Sequence, residues 1–216
     1  MIDLKKFTHI IWDWNGTLLD DAWLCVDVMN GMLGERNLPP RTVDEYMELF
    51  DFPVKDYYAK LGYDFDKEPF DVVGTEFINR YNLRQRETRL QQGAFEVLAN
   101  FRSHGYTQSI LSAREQNELV SESIALGVSG FFSHIYGLDD HYAYGKNEVG
   151  FRLVSDLDIP REQMLFIGDT RHDAEVAGEI GVECILVPNG HHSRERLEQL
   201  GILLIPSLIE LNNLLR

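Results

Sequence analysis

From Gly93 to the C-terminus the chain alternates between short apolar runs and amphipathic segments, several of them closed by glycine. "AFEVLANFRSHG" has helical spacing and a terminal glycine, and "YTQSILS" is strand-like. The rhythm continues as "EQNELVSESIALG" (helix), "FFSHIYG" (strand), "KNEVGFRLVSDLDI" (helix, weakened in the middle at Gly150) and "QMLFIGD" (strand). It ends as "DAEVAGEIG", "VECILVP", "SRERLEQLG", "ILLI" and a last helix, "LIELNNLL", capped by Ser207. Such alternation predicts a parallel sheet covered on both faces by its crossover helices. Sheets of that kind bind ligands at the C-terminal ends of their strands.

Nearer the N-terminus, "THIIWD" (Thr8 to Asp13) reads as one more short buried strand. Between Asp20 and Thr88 strand-like runs are scarce. Ala22 to Glu35, "VDEYMELF", "PVKDYYAKLGY" with Pro53 at its first position, and "FDVVGTEFINRYNLR" read as four helices. The expected architecture is α/β: a three-layer Rossmann-like core with a parallel sheet (residues 1–19 and 89–216), plus an inserted α-helical cap (residues 20–88).

Of the 216 residues 44% are hydrophobic, enough for a sizeable core. A formal net charge of -15 leaves no basic footprint for nucleic acid and fits a solvated surface. No apolar run has membrane-span length, and "MIDLKKFTHI" lacks the core of a secretory signal. Two distant cysteines, Cys25 and Cys184, suit a reducing compartment. A cytoplasmic monomer or homodimer, without membrane or nucleic-acid partners, is expected.

Reactive residues stand where strands end. "DWNGT" places Asp13, Asn15, Gly16 and Thr17 after the first strand; Ser112, Ala113 and Arg114 follow "SIL"; Lys146 lies in "AYGKNE"; and "FIGDTRHDAE" offers Asp169 and Asp173. Singly, each has an ordinary reading as a turn residue, a helix cap or a solvated charge. Together, acids at strand ends suit a hard cation such as Mg²⁺, and a hydroxyl with a lysine suits phosphoryl oxygens.

In this order and context the residues resemble the four motifs of the haloacid dehalogenase-like hydrolases: Asp-x-Asp-Gly-Thr, a Ser or Thr after a strand, a lysine, and Gly-Asp-x-x-x-Asp. The resemblance spans essentially the whole chain. "GDTRHDAEVAGEIGV" and "NGHHSRERLEQLG" look most like the phosphoglycolate phosphatase branch. It implies a Mg²⁺-dependent phosphohydrolase of a small soluble phosphomonoester, a phosphorylated metabolite. Asp13 would be the nucleophile that becomes an aspartyl-phosphate. Asp13, the Asn15 carbonyl, Asp169 and Asp173 would hold or support the metal. Ser112 and Lys146 would bind the transferred group, with Gly16, Thr17, Ala113 and Arg114 around it. Lys146 is followed by Asn147, where many relatives have proline.

Asn15 departs from the pattern. The family's second aspartate protonates the leaving alcohol and then activates water, and an amide does neither. The alternatives are a slow phosphatase or one for good leaving groups, a substitute acid–base group (His9, Asp20, Asp21, His141, His191 or His192), a phosphonatase-type C–P hydrolase using a cap lysine (Lys55, Lys60 or Lys67), or a phosphate-ligand binder with low activity. Dehalogenation is disfavoured, because those relatives work without metal. Trp12 is expected to pack under the sheet and Trp14 at the cap interface, or the reverse. Tyr46, Phe50, Phe52, Tyr57 and Tyr58 are expected to form the cap's own core.

Overall fold

The computed structural model describes residues 2–139 and 145–215. Five parallel strands form the main sheet in the order β5 (His134–Leu138), β4 (Thr107–Glu115), β1 (His9–Trp12), β6 (Met164–Gly168) and β7 (Glu183–Leu186). Period-two side-chain alternation builds the two cores. Ile10, Trp12, Ile110, Leu165 and Ile167 face α5 (Ala94–Ser103), α6 (Gln116–Ala125) and α10 (Leu208–Asn213). Ile11, Leu111 and Phe166 face α7 (Lys146–Leu157) and α8 (Arg171–Ile180). The sheet is therefore the middle of three layers, as expected.

Trp12 and Trp14 are both fully buried in the first of these cores. Trp12 Nε1 donates to Gln108 Oε1 at 3.0 Å, and Trp14 Nε1 to Glu122 Oε2 on α6 at 3.0 Å. Trp14 is thus a core residue rather than one at the cap interface.

The helical insertion comprises α1 (Ala22–Glu35), α2 (Val43–Leu49), α3 (Val54–Leu61) and α4 (Phe70–Arg84). Pro53 is the N-cap of α3 rather than its first residue. The unit has a hydrophobic cluster of its own, including Leu24, Met32, Tyr57, Tyr58, Leu61 and Val73. The chain enters and leaves it through an antiparallel ribbon of β2 (Leu19–Asp20) and β3 (Arg89–Leu90).

Three further expectations need correction. β4 runs past Ser112 to Glu115, with a register shift between Leu111 and Glu115, so Ser112 lies in an irregular strand end and Glu115 caps α6. Bulges of this kind re-aim side chains. Residues 202–205 form no strand but one isolated bridge, Leu186 to Leu204, and Pro206 next to it has no N–H to extend a ladder. Gly150 does not weaken α7: a Cβ there would lie 3.0 Å from Ile180 and 3.1 Å from Leu111, so its smallness lets α7 approach its neighbours.

Candidate functional site

Asp13 follows the central strand, its N–H donating to the Ile167 carbonyl at 2.9 Å. The loop after it folds back on itself, since Leu18 and Leu19 both donate to the Trp14 carbonyl. Gly16 makes that turn at φ +79°, and a Cβ there would sit 2.3 Å from Asp169 Oδ2. Glycine is therefore required twice over, by conformation and by contact. Thr17 Oγ1 donates to Asp169 Oδ1 at 2.7 Å and lies 3.4 Å from Asp13 Oδ2.

Lys146, the first residue of α7, is buried with Nζ 2.5 Å from Asp13 Oδ1 and 2.6 Å from Asp173 Oδ1. Asp173 Oδ2 accepts from Thr170 N and Oγ1, a reciprocal cap that starts α8. Asp13, Asp169 and Asp173 offer oxygens all within 4.8 Å of one another. Burial, reinforced by Asp173, pushes Asp13 up to about 8 although Lys146 opposes it. Burial likewise raises Asp169, to about 6. Burial would raise Asp173 too, but Lys146 outweighs it and holds that carboxyl below its usual range.

Ser112 is buried and lines the same cavity as Asp13, Lys146 and Asp173, its Oγ accepting from Arg114 N at 3.1 Å. Arg114 is a buried side chain, not a helix-surface one. Its Nη2 lies 2.8 Å from Glu122 Oε1 and reaches Asn82 and Gln85 of the helical unit at 2.8 and 2.6 Å.

Asn15 is placed by a network that its motif does not reveal. Its Nδ2 donates to Asp21 Oδ2 at 2.8 Å, where Tyr81 OH also donates at 2.9 Å. Gly16 N donates to Asp21 Oδ1 at 2.9 Å, and His191 Nε2 lies 3.3 Å from the same oxygen. Tyr46 OH bonds the other nitrogen of His191 at 2.7 Å. Burial works against a charged His191, but Asp21 outweighs it and lifts the imidazole to about 9. Asp21 itself is held low by His191 and its other donors, against burial.

Of the substitute acid–base candidates among the described residues, Asp21 bonds Asn15 directly and His191 joins the same network through Asp21. His9 is bonded to Thr107 and Ser109 at the opposite end of β1, Asp20 is exposed, and His192 Nδ1 accepts from Arg171 N. His141 lies outside the described residues. Gln91 and Gly190 escaped sequence reasoning. Gln91 Nε2 ties the Gly16 and Asn189 carbonyls together, at 3.1 and 2.8 Å, and a Cβ on Gly190 would lie 2.1 Å from Asp169 Oδ2. A glycine next to "HH" was the only signal for the second.

A cavity of about 180 Å³ lies between these residues and the helical unit. Asp13, Asn15, Ser112, Ala113, Arg114, Lys146 and Asp173 line it. Tyr46, Phe50, Phe52, Tyr57 and Tyr58 line it too, so the cap aromatics face the site besides packing with one another. The unit is fastened over the site by Arg196, which donates to the Met47 and Phe50 carbonyls, and by Arg171 and Arg196 on Asp51.

A doubly covered parallel sheet with acids, a lysine and a serine at its strand ends, under a helical insertion, defines the class. Residues 10–187 match the haloacid dehalogenase-like hydrolase model, and the chain belongs to that family. It is 28% identical over 213 residues to a phosphoglycolate phosphatase of Caulobacter vibrioides, covering 92% of this chain and 86% of that one. A phosphoglycolate phosphatase of Rhodobacter capsulatus is 22% identical, covering 84% of each. A haloacid dehalogenase-like family hydrolase from Streptococcus pneumoniae superposes with TM-score 0.84 at 19% identity, covering 98% of this chain and 100% of that one. A predicted phosphatase from Clostridium acetobutylicum gives 0.82 at 18%, covering 96% and 97%. At such identity the two structures show the shared fold alone.

Proposed function

We propose that this hydrolase is a Mg²⁺-dependent phosphohydrolase of a small phosphomonoester, related in machinery to the phosphoglycolate phosphatases. The observation that carries it is the convergence of Asp13, Lys146 and Asp173 in the lining of one cavity, with Asp169 buried against them. Residues 20–88 act as its cap and residues 1–19 with 89–216 as its core.

Three buried carboxylates, two of them raised toward neutrality by burial and mutual repulsion, fit a small hard dication. Asp13, Asp169 and the Asn15 carbonyl would hold Mg²⁺, and Asp173, which also accepts from Lys146 and Thr170, would support it. Bound there, Mg²⁺ would offset charge on the phosphoryl oxygens. An Asp13 oxygen attacks phosphorus as the ester P–O bond breaks, and the leaving oxygen departs into the cavity with the bonding pair, as an oxyanion that takes its proton from water. Lys146 and Ser112 hold the transferred oxygens. Water then cleaves the acyl phosphate, returning Asp13 and phosphate. The closed helical unit keeps bulk water from this step.

The expected result is phosphate release from a panel of phosphomonoesters in Mg²⁺ that falls to the buffer rate in EDTA. Equal release with and without chelator sinks the metal assignment, and no release from any ester sinks the hydrolase reading. Asn15 clamped on Asp21 favours one second reading, a phosphate-ligand binder. Multiple turnover removes it. The phosphonatase route has no support, because Lys55, Lys60 and Lys67 are exposed and none lines the cavity.

Gly190→Ala provides a further test. Its methyl group would displace Asp169 and close the space beside Gly16. Saturating Mg²⁺ at about 100 Kd stabilises a binder by about 2.7 kcal/mol, a Tm rise of roughly 5–10 °C at this size. The variant is expected to lose at least half of that rise by scanning fluorimetry. An undiminished rise would place the ion away from Asp169.

A further inference from the structure

We infer that the alcohol part of the substrate is a neutral, apolar group of about one aromatic ring, not an anion such as a carboxylate. This deepens the phosphohydrolase reading and rests on it for the position of the phosphoryl group. The argument lies in what lines the cavity beyond Asp13 and Lys146. From the helical unit come Met29, Phe50, Tyr58, Phe70, Phe77 and Ile78, a wall of rings and aliphatic carbon. An apolar cavity of about 150 Å³ is large enough for benzene. The volume here, about 180 Å³, fits one ring with the phosphoryl group at its polar end.

The charges point the same way. One lysine and one arginine line the cavity among the described residues, and each already faces acid: Lys146 holds Asp13 and Asp173, and Arg114 holds Glu122; the one histidine in the lining, His191, is bonded to Asp21. The helical unit contributes no Lys or Arg to the lining. Asp13, Asp21, Glu115 and Asp173 also line it, so a second anion on the ligand would meet acids and hydrocarbon. Buried without a partner, a carboxylate is costly. The hydroxyls of Tyr57 and Tyr58 make no hydrogen bond among the described residues and suit at most a neutral polar substituent.

Such a substrate also fits Asn15. A phenol or similarly acidic alcohol leaves with little need of protonation, which lessens the demand for the missing acid.

The experiment is calorimetric titration of the wild-type protein in Mg²⁺ with three non-hydrolysable probes: methylphosphonate, benzylphosphonate and phosphonoacetate. Benzylphosphonate is expected to bind about 10- to 100-fold more tightly than methylphosphonate, the worth of burying one phenyl ring. Phosphonoacetate is expected to bind no more tightly than methylphosphonate. Gly74 lines the cavity, and a Cβ there meets nothing nearer than the Phe70 ring at 3.8 Å. Gly74→Leu is therefore expected to erase the benzyl advantage and leave methylphosphonate affinity unchanged. The inference is overturned if benzylphosphonate binds no better than methylphosphonate, if phosphonoacetate outbinds it, or if the advantage survives Gly74→Leu. Because no probe turns over, the comparison stands apart from the test of hydrolysis: an enzyme that hydrolyses esters yet prefers phosphonoacetate keeps its function and loses this substrate class.

Discussion

Exchanging amide and acid between Asn15 and Asp21, as the double variant Asn15→Asp/Asp21→Asn, is expected to raise turnover of alkyl phosphomonoesters by about 10²–10⁴-fold, the usual worth of a general acid–base group. The single variant Asn15→Asp is expected to gain far less. In the wild-type protein Asn15 Nδ2 donates to Asp21 Oδ2 across 2.8 Å, and a carboxylate in its place would face another carboxylate. At an effective dielectric of 20 two unit charges at that distance repel by roughly 6 kcal/mol, so the introduced group keeps a proton: it can protonate a leaving group but fails as the base that must regenerate the enzyme in each turnover. The exchange preserves the hydrogen bond with donor and acceptor reversed, and leaves one negative charge near His191 and Tyr81.

Leaving-group dependence makes this test sharper. In the proposed mechanism the ratio kcat/KM would read events through formation of the aspartyl-phosphate, where a general acid helps poor leaving groups most. Its gain is therefore expected with alkyl esters and to be nearly absent with aryl esters. If hydrolysis of the acyl phosphate limits kcat, kcat rises for both, because that step no longer contains the alcohol. Failure of the double variant to exceed wild type on any ester, with Tm retained, would mean that Asn15 belongs to a working site and that another group moves the proton.

The same residues show how far the sequence could be read. Ala22–Glu35 and Phe70–Arg84 were legible to the residue, because apolar spacing and flanking acids or prolines mark such helices locally. Asp13, Ser112, Lys146, Asp169 and Asp173 could be collected before any coordinates, because a parallel sheet brings its strand ends to one edge. The end of β4 was not legible: its pairing to β5 and the shift after Leu111 depend on a strand about twenty residues away. Nor was the fate of residues 202–205, whose apolar run has strand propensity but one bridging partner. The network of Asp21, Tyr46, Tyr81 and His191 joins four distant pieces of chain, each unremarkable alone. Asp21 stands at the N-cap of α1 yet makes no capping bond, its carboxylate turned to the loop instead. The cap aromatics were read as a closed core, since periodicity does not distinguish a ring packed against protein from one lining a cavity.

Lys146→Met is expected to cost about 3–5 kcal/mol of stability in EDTA, the usual loss when one partner of a buried ion pair is removed, and with it phosphate release. Met matches the stem but brings no charge, and Lys146 is only 3% exposed, so solvent cannot compensate. Asp13 and Asp173 would lose their nearest cation, and Asp13 is pushed up to about 8 even with the lysine in place. At 2–4 °C per kcal/mol the cost corresponds to a Tm roughly 6–20 °C lower. Two controls separate this electrostatic cause from lost packing. Mg²⁺ bound at the proposed site would bring positive charge back to the same carboxylates, so it is expected to raise the variant's Tm by more than it raises that of wild type. Adding Asp13→Asn removes one unpaired acid and is expected to recover part of the loss, a non-additive result that packing alone would not give. Equal Tm values for wild type and Lys146→Met in EDTA would contradict this account and show that the acids shed their charge by protonation at no cost to the fold.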